Sequence, residues 1–346
     1  MVKLRPVNSV RHITADLPSL LYLSPDEKEL FVTFTGVLRA ARIYSLPSFD
    51  FVSEFPATVD MTAMLGVANS DFSQFNVVFV NSTSTLFQIK SYSRDGSEIA
   101  ESAMTAMSQR IYGGYISPDD RYMAVTYHGA ENIFTVAVYT FPLLELVTSH
   151  TFTEVPPLES FEFGTAPAVW LKDSNDLYLG VIHNSETRGF LDIFRLKNDT
   201  LTIKASKDFP QRTNAITNYI ECDRSLLLVG FRNQNRIDDP NPSMPEFIKL
   251  EFHHEQLKQT LAVFNYDNIP YQIRFLRPNI FPVLTSTAIS GTLSLFKNAD
   301  LEQSIDNLFG AISYGGAKPK GNHIVLFSYR ISGEFYLALT LFKLEC

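Results

Sequence analysis

Short apolar runs, separated by polar turns, recur from one end of this chain to the other. Leu20–Thr35 reads LLYLSPDEKELFVTFT and Gly114–Tyr127 reads GYISPDDRYMAVTY. In each, a strand-length apolar segment meets a Ser-Pro-Asp break and resumes as a second strand-length segment. Aligned on that break, turns fall at Ser24-Pro25-Asp26, Asn69-Ser70-Asp71, Ser117-Pro118-Asp119, Lys172-Asp173-Ser174, Glu221-Cys222-Asp223, Arg277-Pro278-Asn279 and Ala317–Gly321. Pro fixes φ at such turns, and Asp, Asn and Ser bond to nearby backbone.

The segments after each turn are strand-like. Leu30–Phe34, Leu38–Tyr44 and Phe51–Phe55 follow the first turn; Tyr122–Tyr127, Phe134–Phe141 and Leu146–Phe152 follow the third. Continuous apolar runs such as Leu226–Val229 suit strands covered on both faces. A unit of roughly 40–55 residues with four short strands is the signature of a β-propeller. The expected fold is all-β: one seven-bladed propeller over residues 1–346, with blades beginning near 20, 63, 113, 168, 216, 272 and 311. The last unit is one strand short and Val7–Thr14 is spare. An open seam would expose strand edges, so residues 1–16 are expected to complete the C-terminal blade beside Glu334–Leu344. Two short helices are predicted: Asn298–Leu308, where Leu301, Ile305 and Leu308 have helical spacing, and one turn within His253–Leu261.

The pattern of Leu20–Phe55 resembles the seven-bladed propeller superfamily of WD-repeat and lactonase-like proteins. The Ser-Pro-Asp turn ahead of Glu29-Leu30-Phe31-Val32, and the strand ending Arg42-Ile43-Tyr44, carry the lactonase-like likeness. The chain has neither the Gly-His nor the Trp-Asp dipeptide of WD repeats, and its one tryptophan, Trp170, precedes Leu171. The Asp–His–Ser–Trp staple that the WD-repeat resemblance implies is therefore not expected.

Composition narrows the classes. Hydrophobic residues make up 45% of the chain, enough for a large core. The net charge of −8 argues against a nucleic-acid backbone as main partner. Two cysteines, Cys222 and Cys346, make neither a disulfide framework nor a zinc finger. No apolar leader and no run long enough for a membrane helix occurs, which predicts an intracellular protein, cytoplasmic or nuclear.

No phosphate loop, nucleophile elbow or zinc-protease motif is present, and no metal or other cofactor is implied. Gly113-Gly114 and Gly315-Gly316 read as close-packing positions on inner strands rather than anion nests. The acidic pairs Asp119-Asp120 and Asp238-Asp239 read as solvated turn residues. His128 and His183 both end a second strand, and would line a polar pocket if they lay on the same face of adjacent blades. Two insertions stand out, Glu154–Pro167 with Phe161 and Phe163, and the proline-containing Arg232–Glu246 with Arg232 and Arg236. These four residues form the expected partner-binding set: aromatic anchors with arginine contacts. The function expected on these grounds is a non-catalytic scaffold that binds one or more proteins within a larger complex. The alternatives are a lactonase-like small-molecule hydrolase acting at the channel mouth and an RNA-binding propeller.

Overall fold

In the computed structural model, the described residues are 2–12, 17–35, 39–108, 110–129, 133–152, 168–184, 189–209, 215–223, 226–233, 246–265, 270–273, 280–286, 291–297, 300–308, 312–316, 322–331 and 335–345. Among them the ordered elements are all strands. After β1 (Lys3–His12), the first sheet comprises β2 (Leu17–Leu23), β3 (Glu29–Thr35), β4 (Ala41–Ser45) and β5 (Phe51–Phe55). The second has β6 (Met61–Ala68), β7 (Gln74–Asn81), β8 (Leu86–Ser93), β9 (Glu98–Glu101) and β10 (Thr105–Ala106). The third has β11 (Ile111–Ile116), β12 (Tyr122–His128), β13 (Phe134–Thr140) and β14 (Leu146–Phe152); the fourth has β15 (Ala168–Asp173), β16 (Asp176–Asn184), β17 (Gly189–Lys197) and β18 (Thr200–Phe209). The fifth has β19 (Ala215–Asp223), β20 (Leu226–Asn233), β21 (Glu246–His253) and β22 (Gln256–Asn265). The sixth has β23 (Pro270–Ile273), β24 (Ile280–Ser286), β25 (Gly291–Lys297) and β26 (Asp300–Leu308). In the last, β27 (Ile312–Gly316), β28 (His323–Ile331) and β29 (Phe335–Glu345) are joined by β1, which runs antiparallel to β29 from Lys3↔Glu345 to His12↔Leu337.

The Ser-Pro-Asp turn is built by its own side chains. Ser24 Oγ–H donates to Asp26 Oδ1 at 2.7 Å and accepts the Lys28 and Glu29 N–H groups. Ser117 repeats this with Asp119, Arg121 and Tyr122. Asn69 takes the serine's place in the second sheet, where its Oδ1 accepts from Ser73 and Gln74 N–H. The residue after the acid has positive φ in each case: Glu27 at 60°, Phe72 at 61° and Asp120 at 55°. A second repeated turn joins the third and fourth strands. Phe49 and Leu144, both with positive φ and both buried, close Ser45–Phe49 and Thr140–Leu144.

Side chains alternate along each strand, so each sheet sends one apolar row to each neighbour. Phe31, Ile43 and Phe55 of the first sheet pack with Phe75, Val77 and Phe79 of the second. Val78, Phe87 and Ile89 pack with Met123, Val125 and Tyr127 of the third. On the other side of the first sheet, Leu21, Leu30 and Val32 meet Val325 and Leu341, while Val2, Leu4 and Phe342 meet Ile280, Leu293 and Leu295. Successive first strands also touch: β2 and β6, β6 and β11, β11 and β15, β15 and β19, β19 and β23, and β27 with β2. The glycines of these strands let them approach. A Cβ on Gly66 would sit 2.4 Å from the Phe31 ring, and one on Gly114 would sit 2.8 Å from Leu65 Cδ1. Gly114 thus serves close packing, as read from the sequence.

Neither predicted helix forms. Asp300–Leu308 is the outer strand β26, paired to β25 through Leu293↔Ile305 and Lys297↔Asp300. Its helical spacing is offset by two bulges that bring Ile305 inward while Leu301 stays exposed. Within His253–Leu261 the chain makes a two-residue hairpin turn at His254 and Glu255, with φ of 49° and 60°, and enters β22. Two positive φ values in a two-residue loop match the right-handed strand twist, and a helix has no place between paired strands.

Candidate functional site

The third and fourth sheets face each other across one apolar layer. Phe134, Val136, Val138 and Phe152 come from the third; Trp170, Leu177, Leu179, Val181, Phe194 and Leu196 come from the fourth. The rows of β16 and β17 that supply it run Leu177-Leu179-Val181-His183 and Phe190-Asp192-Phe194-Leu196. At one end of the layer, therefore, alternation carries an imidazole and a carboxylate into positions that are otherwise apolar.

These two groups meet. His183 pairs across the strands with Phe190, and Asp192 with Val181, so His183 and Asp192 are diagonal neighbours on one face. His183 Nε2–H donates to Asp192 Oδ2 at 2.8 Å. Ser206 of β18, directly opposite Asp192, donates its hydroxyl to Oδ1 at 2.5 Å. Both carboxylate oxygens are thus engaged, and the side chains of His183 and Asp192 are each 13% exposed. Burial alone would push the Asp192 carboxyl up. Hydrogen bonds from His183 and Ser206, with the positive potential of His183 and His150, outweigh it and hold Asp192 below the ordinary carboxylate range. His150 enters from β14. Burial pushes its imidazole down; the Asp192 charge pulls it back up, and His183 opposes that.

Aromatic rings frame the pair. The His183 ring lies 4.4 Å from Phe152 of the third sheet and 5.1 Å from Phe190, centroid to centroid, the latter nearly parallel at 14°. His150 packs on Phe152 and Phe194, each at 4.8 Å. The carboxylate–imidazole–hydroxyl network ties three strands of one sheet together, with a charged hydrogen bond inside an apolar frame. Ser206 is bonded to the acid rather than to the imidazole, so the arrangement is a carboxylate-anchored imidazole and not a serine-nucleophile triad.

His128 does not join this site. It faces the fourth sheet from the third, whereas His183 faces the third from the fourth, and Phe134 and Phe152 stand between them at 5.3 Å from each other. The expectation of two histidines on the same face of adjacent blades is corrected by the alternation. His128 continues the row of Ala124, which packs toward the fourth sheet. It is fully buried beside Tyr112, and burial together with the Arg110 charge brings its imidazole down to about 4.

The other sequence candidates are structural or lie elsewhere. Asp119 is bonded to Ser117 and Arg121, and Asp120 accepts the Ser70 N–H at 2.9 Å and the Ser70 hydroxyl. Phe161, Phe163, Arg236 and Asp238-Asp239 lie outside the described residues. Arg232 is in β20, opposite Ile216, so the strand extends two residues into the presumed insertion. Asp192, Ser206 and His150 were not legible as a set. The one sequence signal is Asp192, a carboxylate in step with the apolar alternation Phe190-Phe194-Leu196. Among the described residues no group of three or more His, Cys, Asp or Glu is arranged to hold a metal ion, and no helix is long and apolar enough to cross a membrane.

No protein-family model matches the sequence, and no curated protein is similar to it. Solved structures are similar in fold. The propeller domain of the Trilobed protease from Pyrococcus furiosus, described as having an open velcro topology, is 9% identical with a TM-score of 0.59, covering 94% of this chain and 95% of that one. Prolyl oligopeptidase B from Galerina marginata is 12% identical with a TM-score of 0.63, covering 94% of this chain and 48% of that one, so this chain spans about half the peptidase's length. Hydrazine synthase from Kuenenia stuttgartiensis is 13% identical with a TM-score of 0.62, covering 89% and 92%. The expectation of a non-catalytic scaffold, and with it of a chain that is not an enzyme, is overturned by these likenesses. The propellers this chain is similar to come from two peptidases and a synthase, and a missing motif does not set it apart from enzymes. The chain has the all-β fold of a β-propeller.

Proposed function

We propose that this propeller belongs to hydrolytic chemistry, with the His183–Asp192 pair at the junction of the third and fourth sheets as its acid–base site. The observation that carries the reading is the buried Asp192 carboxylate, held ionised and bonded to an imidazole that keeps 13% exposure. An imidazole anchored to a carboxylate has a fixed tautomer and a fixed ring orientation, which a group needs to take a proton from water and return it to a leaving group. The peptidase propellers among the similar folds favour ester, lactone or peptide bonds as the class of bond broken.

The same reading includes the architecture. The seven sheets are taken as seven blades, and the β1–β29 pairing as the closure between the first and last segments of the ring. The contacts of β27 with β2 and of β24 with β27 support it.

The test is hydrolysis of p-nitrophenyl esters, lactones and short chromogenic peptides by the purified chain, alongside Asp192→Asn and His183→Gln. Turnover by the parent chain that falls about a hundredfold or more in either variant, with the variant still folded by circular dichroism, is the expected result. No turnover of any of the three classes, or parent-level rates in both variants, sinks the reading.

A further inference from the structure

The apolar layer between the second and third sheets stops short of one rim. On the second sheet its rows run inward as Gln74-Asn76-Val78-Val80 on β7 and Ser93-Ser91-Ile89-Phe87 on β8, paired as Gln74↔Ser93, Asn76↔Ser91, Val78↔Ile89 and Val80↔Phe87. Gln74 and Ser93 are half-buried at the ends of their strands, whereas Asn76 and Ser91 are both fully buried. Apolar residues flank this pair in its row, Val67 beside Asn76 on β6 and Ala100 beside Ser91 on β9. Asn76 reaches the third sheet, where its Nδ2–H donates to the Met123 thioether at 3.2 Å. Its Oδ1 and the Ser91 hydroxyl have no hydrogen-bond partner among the described residues. Turning the amide over would set its oxygen against a sulfur with no proton to give, and would leave the N–H groups unpartnered instead. A buried acceptor and a buried hydroxyl thus stand side by side on one face. As direct cross-strand neighbours their Cβ atoms lie about 5 Å apart, and each costs free energy while unpaired.

We propose that Asn76 and Ser91 hold one buried water molecule between the second and third sheets. The water accepts the Ser91 O–H and donates to Asn76 Oδ1, which satisfies both side chains and gives the water the two polar partners that a buried site requires. With Oδ1 held, the amide keeps its Nδ2–H on Met123. The series Ser91–water–Asn76–Met123 then ties the two sheets together where their apolar layer ends. The half-buried Gln74 and Ser93, next in the same rows, give the water a polar way in from the rim.

Two measurements on the full chain test this. A high-resolution crystal structure should show a water within about 3 Å of both Asn76 Oδ1 and Ser91 Oγ. A direct bond between the two side chains, or no water touching both, overturns the proposal. In solution, deuteron relaxation dispersion counts the waters that stay bound longer than the protein takes to tumble. Ser91→Val puts a methyl group where the hydroxyl was, and Asn76→Leu removes the amide. Each variant should hold one long-lived water fewer than the parent chain. An unchanged count in a folded variant overturns the proposal as well. If one variant does not fold, the other decides; if neither folds, the parent crystal structure decides.

Discussion

Trp170 donates its indole N–H to the main-chain carbonyl of Tyr115 at 2.8 Å, from the first strand of the fourth sheet to the first strand of the third. The indole also stacks near Tyr122 at 6.4 Å and 28°. As the chain's one tryptophan, Trp170 reports on this junction alone. Replacement by Phe keeps a ring and removes the donor to the Tyr115 carbonyl. Trp170→Phe is expected to cost about 1–3 kcal/mol in urea unfolding. In the parent chain, tryptophan emission should shift to the red in the same transition that circular dichroism follows. A separate, earlier emission change would show that the third–fourth junction opens alone.

Stability should fall in two acid windows. His128 is buried and neutral, with its imidazole brought down from 6.5 to about 4. The unfolded chain therefore binds this proton first, and stability declines as pH drops from 6.5 toward 4. The loss should be on the order of 3 kcal/mol, and His128→Gln should flatten this part of the curve. The carboxylates of Asp119 and Asp192 are held below 3.8 in the folded chain, so what they contribute is present above that value and lost only beneath it. Asp192→Asn should alter the lower window.

Gly66→Ala places a methyl group 2.4 Å from a ring carbon of Phe31. Phe31 is 1% exposed and packed on Phe55 and Phe75 at 5.6 and 5.0 Å, so it cannot retreat. The variant should lose roughly 1–3 kcal/mol. A companion Phe31→Leu change should recover part of that loss if the clash is its cause, and additive losses would disprove the clash.

Removing residues 1–12 takes away β1, uncovers the edge of β29 and deletes Val2 and Leu4 from their contact with Ile280 and Leu293. The backbone N–H of Val2 and of Leu4 also bond to Glu302 and Gln303. The truncated chain should melt at least several degrees lower and form aggregates visible by light scattering. A truncated chain that melts like the parent would show that β29 needs no partner.

The strands and the Ser-Pro-Asp turns were legible because each is local. A hydroxyl or amide two residues before an acid organises its own turn: Ser24, Asn69 and Ser117 each accept the N–H groups four and five residues on. The helix over Asn298–Leu308 was misread because spacing within one segment does not show an extra residue in a paired strand, here Glu302, which lies between the pairs Leu301↔Phe296 and Gln303↔Leu295. The candidate site was half legible. His183 drew attention as a histidine at a strand end. Asp192 and Ser206 are 14 residues apart, and only the cross-strand register sets them opposite one another. The ring from Phe152 was beyond reach, because it belongs to another sheet and no periodicity connects the two.

The union of β1 with β29 inverts the order of making and the order of finishing. Ser9 and Thr340, whose hydroxyls lie 3.0 Å apart, are separated by 331 residues. At about 5–20 residues per second, the earliest strand leaves the ribosome tens of seconds before its mate exists. During that interval its Val2 and Leu4 side chains have nothing native to bury them. Until β29 has been made, chaperone capture and mispairing compete with native pairing for β1. A circular permutant that links the two ends directly, and opens the chain at the hairpin of His254 and Glu255, would make this pair local. It should shorten that interval without altering the finished sheet.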